Sequence, residues 1–463
     1  MFTSISIVSL LSYFLLGVIG WITYKIFIWP YYVSPLRKIP GPPSDNPILG
    51  NLQSLLSSVD STDPKLEWVR KYGNIVKYNG LFNKPTLLVT DPKIIQDILT
   101  SSKAYDFVKS HNEFNLALLG NGLVFAEGDD HKRQRKMMTP TFTHGNIKEM
   151  VPTFIRVAST LKGLIEKEIN QGNSNINLSP YISKTTLDII GLVGFSYEFN
   201  SLTSSNELAA AYESLFNKQL SILQIAVMMA ATYIPIIKDI STAMDVNFKN
   251  ACEVISRVSR QLIMTFLMAG HETTSIAISW ALYLLAQHPH EQDKLREELV
   301  KAFPDKSNFN PTYDEINSLE YLNCVIKENL RLIPPVPVVS RFNVKDEVFG
   351  EYMIPKNTET LIGTSVLQRS TELWGPTAEN FDPKRWLDPS TTNAANLNYL
   401  PFLNGPRGCI GNKVALAEAK IILGMLIRNF VFQPTKGFKI KKASFPLTKP
   451  DPYLGLTVSI IES

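Results

Sequence analysis

The segment FLNGPRGCIG at residues 402–411 places a single cysteine, Cys409, in a glycine-rich loop directly before a helical pattern at 412–428. The glycines at 405, 408 and 411 carry no side chain, so they let the backbone approach a flat ligand closely. A cysteine at this position is favoured as a thiolate by the dipole and the free N–H groups of the helix N-terminus. Because no second cysteine is close by, the loop suits axial ligation of haem iron better than tetrahedral zinc. An inert loop cysteine is the ordinary alternative.

Five positions of this loop fit the pattern F-x-x-G-x-R-x-C-x-G, namely Phe402, Gly405, Arg407, Cys409 and Gly411. A full match arises by chance in roughly one chain in several thousand of this length. The loop resembles the haem-binding loop of the cytochrome P450 family. That resemblance implies that Cys409 is the axial thiolate of a haem b, that Phe402 packs near it and that Arg407 contacts a haem propionate.

Length and charge set the broad class. The chain has 463 residues, 44% of them hydrophobic, which is enough for a large core. No linker interrupts residues 51–463, so we expect one haem-thiolate domain there. The net charge of +4 is dispersed along the chain and favours anionic headgroups or an acidic redox partner over nucleic acid. Three cysteines are too few for a disulfide framework, which indicates a cytosolic body.

The N-terminus predicts a membrane anchor within residues 1–29, since the first 24 residues carry no charged side chain. Arg37 and Lys38 follow at once and place the body on the cytoplasmic side. A cleaved signal peptide is the alternative, but the segment lacks a basic start and a small-residue cleavage site. The prolines of residues 30–50 then predict a stiff, non-helical connector. It resembles the hinge that follows the anchor in microsomal members of the family.

A basic helical stretch follows later in the chain. His131 and Arg135 are four residues apart and therefore share one helix face, which is ordinarily just solvated. The resemblance implies that both reach a haem propionate, and an arginine can bind a carboxylate with two donors. It also implies that Arg341, ten residues after Arg331, is another propionate ligand.

The hexapeptide AGHETT at residues 269–274 lies inside a long helical pattern. Gly270 costs about 1 kcal/mol relative to alanine, and Thr273 can hydrogen-bond back to the Ala269 carbonyl and loosen the helix. Together they could open a groove for dioxygen, unless the helix simply tolerates one glycine. The segment resembles the oxygen-activating segment of the family, which implies that Thr273 and Glu272 deliver protons.

Glu328 and Arg331 are three residues apart on one face of a predicted helix and can pair. A buried pair needs a further partner, and Arg385 in the segment FDPKRW is the candidate. The two segments resemble the E-x-x-R motif and the later arginine motif of the family. That resemblance implies that the three side chains lock the core near the haem.

Simpler patterns fill part of the remaining chain. We predict strands at 75–78 and 86–90, a helix at 92–99 capped by Asp91, and loops at 101–126 and 170–177. Four apolar residues of the first loop are candidates for either a substrate pocket or ordinary core positions, namely Phe107, Phe114, Leu118 and Leu119.

The resemblance implies a mainly α fold with a small β-rich region, the cytochrome P450 fold, preceded by one N-terminal transmembrane helix. It implies a haem-thiolate monooxygenase that takes electrons from NADPH through a flavoprotein reductase and oxidises an apolar small molecule. The expected location is the endoplasmic reticulum membrane, with the catalytic domain in the cytosol. An oxygen-independent isomerase or dehydratase, and a catalytically impaired membrane-bound haem protein, remain as alternatives.

One departure from the family concerns region 200–262. Only 81 residues separate Asp188 from Ala269, where the resemblance implies about 120. This region normally covers the substrate pocket, so either the cover is shortened by design or the sequence is a shortened or inactive copy. The substrate itself cannot be inferred from these segments.

Overall fold

The computed structural model describes residues 7–58, 60, 62–101, 103–109, 122–204, 261–305, 308–444 and 447–461. The α-helices of these ranges are α1 (Ile7–Thr23), α2 (Leu52–Ser57), α3 (Asp63–Tyr72), α4 (Pro92–Thr100), α5 (Gly128–Met138), α6 (His144–Asn170), α7 (Ser179–Phe195), α8 (Gln261–Gln287), α9 (Pro289–Ala302), α10 (Tyr313–Ser318), α11 (Glu320–Leu332), α12 (Thr364–Leu367), α13 (Thr371–Trp374), α14 (Pro389–Asn398) and α15 (Asn412–Asn429). A π-helix (Tyr24–Val33) follows α1, and short 3₁₀ helices include Pro35–Lys38, Leu81–Asn83 and Gly405–Arg407.

The strands of the described ranges form small sheets beside the helices. They are β1 (Ile75–Asn79), β2 (Pro85–Val89), β3 (Phe107–Val108), β4 (Asn175–Asn177), β5 (Val339–Asn343), β6 (Glu347–Phe349), β7 (Tyr352–Ile354), β8 (Glu359–Ile362), β9 (Phe430–Pro434), β10 (Lys441–Ser444), β11 (Thr448–Asp451) and β12 (Gly455–Ile460). One sheet has the order β1-β2-β8-β5-β3, and its β2–β8 pair is parallel. The predicted mainly helical fold with a small β-rich region is confirmed.

The main core lies where helices α6, α7, α8, α11 and α15 meet. Helix α15 is buried along almost its whole length because it is apolar on most faces. Helix α8 approaches α7 closely at Gly270, where a Cβ atom would come within 3.0 Å of the Ile190 side chain. A side chain at position 270 would therefore press on Ile190, which gives the glycine a packing role in addition to the predicted groove for dioxygen.

Several predicted elements are confirmed. Strands β1 and β2 differ from the predicted ranges by one residue, and α4 begins after Asp91 as expected. The Asp91 carboxylate accepts hydrogen bonds from the amides of Lys93 (2.9 Å) and Ile94 (3.0 Å) and so caps the helix.

Other predictions were wrong, and tertiary pairing is the reason. Residues 175–177, predicted as loop, form β4 because they pair with β12. Phe107 lies in β3, where its side chain is buried and stacks on Phe349 with ring centroids 6.2 Å apart. It is a core residue rather than a pocket residue. Phe114, Leu118 and Leu119, and most of region 200–262, lie outside the described residues.

The N-terminal connector also differs from the expectation. Ser9–Val33 is, within the described ranges, the helical segment long and apolar enough to cross a membrane. The segment after it is partly helical. Pro35 begins a 3₁₀ helix, since a proline is well accommodated in the first turn of a helix. Leu36 and Ile39 are buried in the core beside the five-stranded sheet. Residues 30–50 are therefore packed against the catalytic body over much of their length.

Candidate functional site

The cysteine loop is held in place by its own backbone and by helix α4. The Cys409 amide donates to the Phe402 carbonyl at 2.9 Å, so the backbones of these two residues lie side by side. Gly405 has a φ of +74°, and a Cβ atom there would lie 2.0 Å from the Leu99 carbonyl oxygen. Only glycine meets both conditions. In the described structure this glycine serves the close packing of the loop on α4.

Cys409 is exposed to solvent, although nearby protein atoms partly desolvate its thiol. Burial raises the pKa of the Cys409 thiol, while the Gly411 N–H group and the charge of Arg135 act in the opposite direction. The expectation that the helix terminus alone favours the thiolate is therefore too simple. A metal ion bound to the sulfur would supply the remaining stabilisation, since a coordinating thiol is deprotonated.

The predicted propionate ligands belong to a basic cluster, which we define as Lys109, His131, Arg135, Arg341 and Arg407. His131, Arg341 and Arg407 are buried, whereas Lys109 and Arg135 are half-buried. Burial lowers the pKa of Lys109 well below its ordinary value, and the charges of Arg341, Arg407 and Arg135 lower it further. Four cationic side chains close to one another are costly unless anions neutralise them. Glu127 pairs with Arg407 and supplies one negative charge, so the remaining positive charge favours a further, anionic ligand.

Arg341 gives the sharpest sign of such a ligand. Its side chain is buried, and one guanidinium nitrogen, Nη1, donates to the Ser340 carbonyl at 2.7 Å. The other, Nη2, is buried without a hydrogen-bond acceptor in the described structure. Desolvation lowers the pKa of Arg341 to about 10. A buried, unsatisfied cationic nitrogen is suited to a carboxylate ligand.

Arg407 and Arg135 join the cluster to the cysteine loop and to α5. Arg407 Nη1 donates to the Ala126 carbonyl at 2.5 Å, and its Nη2 forms an ion pair with Glu127. Arg135 Nη1 donates to the carbonyl of Gly408, the residue before Cys409. Both arginines are thus oriented by protein oxygens.

His131 is buried and faces Tyr105, whose hydroxyl lies 3.3 Å from the imidazole Nδ1. Burial lowers the pKa of His131 to about 4, and the charges of Lys109 and Arg135 add to this effect. The ring is therefore neutral near neutral pH. A neutral imidazole still offers one N–H donor to a carboxylate.

The residues present fit a haem. A haem carries two propionates, and this cluster offers buried cationic and neutral donors beside a loop that presents one thiol. Cysteine is a known axial haem ligand.

Sequence reasoning missed Lys109, Glu127 and Tyr105. Lys109 follows a two-residue strand in a stretch without periodicity, and the pattern of α5 gives no sign that Glu127 pairs with a residue 280 positions later. Two weak signals were available. Glu127 directly precedes the basic helix, and Tyr105 and Lys109 follow α4, which packs on the cysteine loop.

The second predicted group lies on α8. Thr273 Oγ1 donates to the Ala269 carbonyl at 2.7 Å, so the expected back-bond is present. Glu272 is buried between two basic groups: its Oε2 lies 3.2 Å from His271 Nε2, and its Oε1 pairs with Lys449 of β11. His271 Nδ1 faces the Leu267 carbonyl at 2.7 Å. Because a carbonyl only accepts, Nδ1 carries a hydrogen, and a hydrogen bond from Nε2 to the carboxylate requires a second hydrogen on the ring.

These contacts set the charge of Glu272. Burial by itself raises the pKa of Glu272, but the hydrogen bond from His271 and the charge of Lys449 outweigh it and hold the pKa at about 2. Glu272 is therefore ionised near neutral pH and accepts hydrogen bonds from His271 and Lys449. Sequence reasoning did not identify either partner.

This depressed pKa predicts a pH-dependent stability. The contribution of ionised Glu272 is fully present above its ordinary pKa of 4.5 and is lost as the pH falls toward about 2. Its full size is of the order of 3 kcal/mol, since one pKa unit corresponds to about 1.4 kcal/mol. Between about pH 4.5 and pH 3, the parent should lose unfolding free energy more steeply than Glu272→Gln. Urea unfolding across this range measures both slopes, and parallel curves would contradict the assignment.

The third predicted group consists of Glu328, Arg331 and Arg385, whose side chains contact one another. Arg331 donates from Nε and Nη2 to the two Glu328 carboxylate oxygens, both at 2.8 Å, and both side chains are fully buried. Arg385 Nε lies 3.3 Å from Glu328 Oε1. The Trp386 indole N–H adds a bond of 3.0 Å to Glu328 Oε2. The carboxylate thus has several donors, as a buried charge requires.

Comparisons with known proteins agree with this geometry. A family model described as Cytochrome P450 matches residues 40–263 and 258–456. The cytochrome P450 monooxygenase sphH of Aspergillus fumigatus is 34% identical over 465 aligned positions, which cover 89% of this chain and 85% of that protein. The cytochrome P450 monooxygenases 128 and 205 of Postia placenta are each 32% identical, covering 90% and 86% of this chain and 90% and 87% of their own lengths.

Proposed function

Since this chain belongs to the cytochrome P450 family, we propose that it takes electrons from NADPH through a separate flavoprotein reductase and inserts one atom of dioxygen into an apolar organic substrate. The chain is a monooxygenase, and its cofactor is a haem whose iron has an axial cysteine thiolate. We propose its electron donor, its substrate class and the roles of its individual residues.

Cys409 is the cysteine of the family pattern and takes the axial position. Arg341, with its unsatisfied Nη2, binds one propionate, and Arg407, Arg135, His131 and Lys109 are the further donors beside it. When bound, the haem supplies the iron chemistry that activates dioxygen, and the thiolate favours cleavage of the O–O bond. The single observation that carries this assignment is the basic cluster beside the cysteine loop.

Thr273 and Glu272 handle protons. The Thr273 hydroxyl donates a hydrogen bond to the Ala269 carbonyl, which orients it. The lone pairs of the Thr273 oxygen then remain available to accept a proton. Glu272 is ionised and contacts both His271 and Lys449, so it serves as a transient station through which a proton passes along these contacts toward Thr273. An isomerase or dehydratase needs no such proton supply, and for that reason we favour the monooxygenase assignment.

Two parts of the proposal concern the protein surface: the binding of a reductase and the attachment to a membrane. Helix α5 exposes Lys132, Arg133 and Lys136 beside Arg135, which contacts the cysteine loop. Such a basic surface is complementary to an acidic electron-transfer partner. The span Ser9–Val33 would anchor the chain in the endoplasmic reticulum membrane with the catalytic domain on the cytosolic side.

We retain the proposed domain limits: an anchor at 1–29, a connector at 30–50 and a catalytic domain at 51–463, with a shortened region at 200–262. The family model matches in two segments that meet at residues 258–263, which supports a shortened connection ahead of α8.

Thr273→Ala tests the proton-handling assignment. The variant should keep its haem spectrum, because Thr273 lies outside the basic cluster, but product formed per NADPH should fall severalfold while peroxide rises. Thr274→Ala is the matched control, since Thr274 makes the same type of back-bond, to Gly270 at 2.9 Å. Equal product yield per NADPH in Thr273→Ala and the parent would remove Thr273 from the mechanism.

A further inference from the structure

The helical anchor meets the catalytic domain at a defined joint. Pro30 lies inside the π-helix Tyr24–Val33, and a proline has no N–H group to donate. In a π-helix each amide donates to the carbonyl five residues earlier, so Pro30 leaves the Lys25 carbonyl without its helical donor. The next carbonyl along the chain, that of Ile26, accepts a hydrogen bond from the side chain of Asn83, Nδ2 to O 3.3 Å. A residue of the catalytic domain thus hydrogen-bonds to the π-helical end of the anchor.

Asn83 is fully buried, and its amide uses its whole hydrogen-bonding capacity. Its Oδ1 accepts from the Ser44 hydroxyl at 2.8 Å and from the Tyr31 hydroxyl at 3.1 Å. Its Nδ2 donates to the Pro47 carbonyl at 2.7 Å as well as to Ile26. One side chain therefore connects the anchor helix, the connector and the turn between β1 and β2.

The backbone at this turn also selects for asparagine. Asn83 has a φ of +52° and Phe82 a φ of +55°, in the left-handed region that asparagine adopts more readily than most other residues. The amide is thus held in place by its own backbone. Asn79 Nδ2 adds a bond of 3.3 Å to the Tyr31 hydroxyl, so a second residue of the sheet holds the same anchor side chain.

The residues that follow the joint leave the anchor helix little freedom to rotate relative to the catalytic domain. Pro30 is buried, the Ser34 amide donates to the Trp29 carbonyl at 2.8 Å, and Leu36 is buried beside the sheet. On the outside, Tyr32 and Ile48 remain 70% and 52% exposed. Apolar side chains at this junction favour contact with a lipid interface.

We propose that Asn83 fixes the anchor to the catalytic domain, so that the domain lies on a lipid bilayer at one preferred angle. The inference rests on the proposed membrane anchor and adds to it a specific joint. A flexible hinge would let the domain tumble above the membrane, whereas this joint orients one face of the domain toward the lipid.

Asn83→Gly in the full haem-loaded chain tests the joint. Glycine tolerates the positive φ and removes all four side-chain bonds. The readout is the polarised absorption of the haem in oriented bilayers of phosphatidylcholine and phosphatidylserine. The parent should show one fixed haem tilt, and the variant should move at least halfway to the isotropic dichroic ratio. Asn200→Gly, at an exposed asparagine with a φ of +50°, is the control and should match the parent.

Two further measurements keep the outcomes distinct. Tyr31→Phe removes one hydroxyl from the joint and should shift the dichroic ratio in the same direction but by less. This variant serves as the test if Asn83→Gly does not fold. Carbonate washing tests the anchor itself, and release of the parent would overturn the proposed anchor. Retention of every variant with a dichroic ratio equal to that of the parent would overturn the joint alone.

Discussion

Replacement of Cys409 by alanine is expected to abolish the absorption band at about 450 nm that the reduced carbon-monoxide complex of a thiolate-bound haem produces. The thiol lies in the loop held by the Phe402 carbonyl, and an alanine leaves no axial sulfur. Without this ligand the haem retains only the propionate contacts of the basic cluster. We expect complete loss of monooxygenase activity together with the band.

Cys324→Ala is the matched control for this experiment. Cys324 is buried beside Trp374 and Trp386, and burial raises the pKa of its thiol to about 11, which makes it a poor metal ligand. Its removal should leave the band in place. A band at about 450 nm that persists in Cys409→Ala would rule out Cys409 as the axial ligand.

Glu328→Gln should have the largest effect on stability. The substitution leaves the fully buried Arg331, and Arg385 beside it, without their counter-charge, although the side-chain volume hardly changes. Removing one partner of a buried ion pair costs about 3–5 kcal/mol, because the remaining charge is uncompensated. We therefore expect low recovery of folded, haem-containing protein and a large decrease in the urea unfolding midpoint.

Glu320→Gln on the same helix, α11, is the control, because Glu320 is exposed and should change the unfolding free energy by no more than about 0.5 kcal/mol. If both variants unfold at the same urea concentration as the parent, the buried ion-pair cluster does not stabilise the fold as we describe.

The elements that could be predicted from sequence are those set by local patterns. The capping of α4 by Asp91 and the long helix around Thr273 follow from residue spacing within one segment, and the structure contains both. The triad of Glu328, Arg331 and Arg385 was predictable because the first two share a helix face and a buried pair needs a third partner. The chain's membership of the cytochrome P450 family and its haem cofactor are confirmed.

The parts that could not be predicted depend on contacts between distant segments. Lys109 joins the basic cluster from a stretch without periodicity. Glu127 pairs with Arg407, a residue 280 positions later in the sequence. Lys449 reaches Glu272 from strand β11, so the depressed pKa of that carboxylate had no signal in the hexapeptide itself. The close approach of Gly270 to Ile190 on a neighbouring helix likewise had no signal in the hexapeptide.

The central proposal is that this monooxygenase acts on an apolar substrate with electrons from NADPH. The most direct test supplies the haem-loaded chain, a flavoprotein reductase and NADPH with ¹⁸O₂, using lipid-extract fractions that shift the haem spectrum. Mass spectrometry should find one ¹⁸O atom in each product molecule, and NADPH oxidation should increase with product. NADPH-independent conversion of the lipid without ¹⁸O incorporation would contradict the proposal and favour an isomerase or dehydratase.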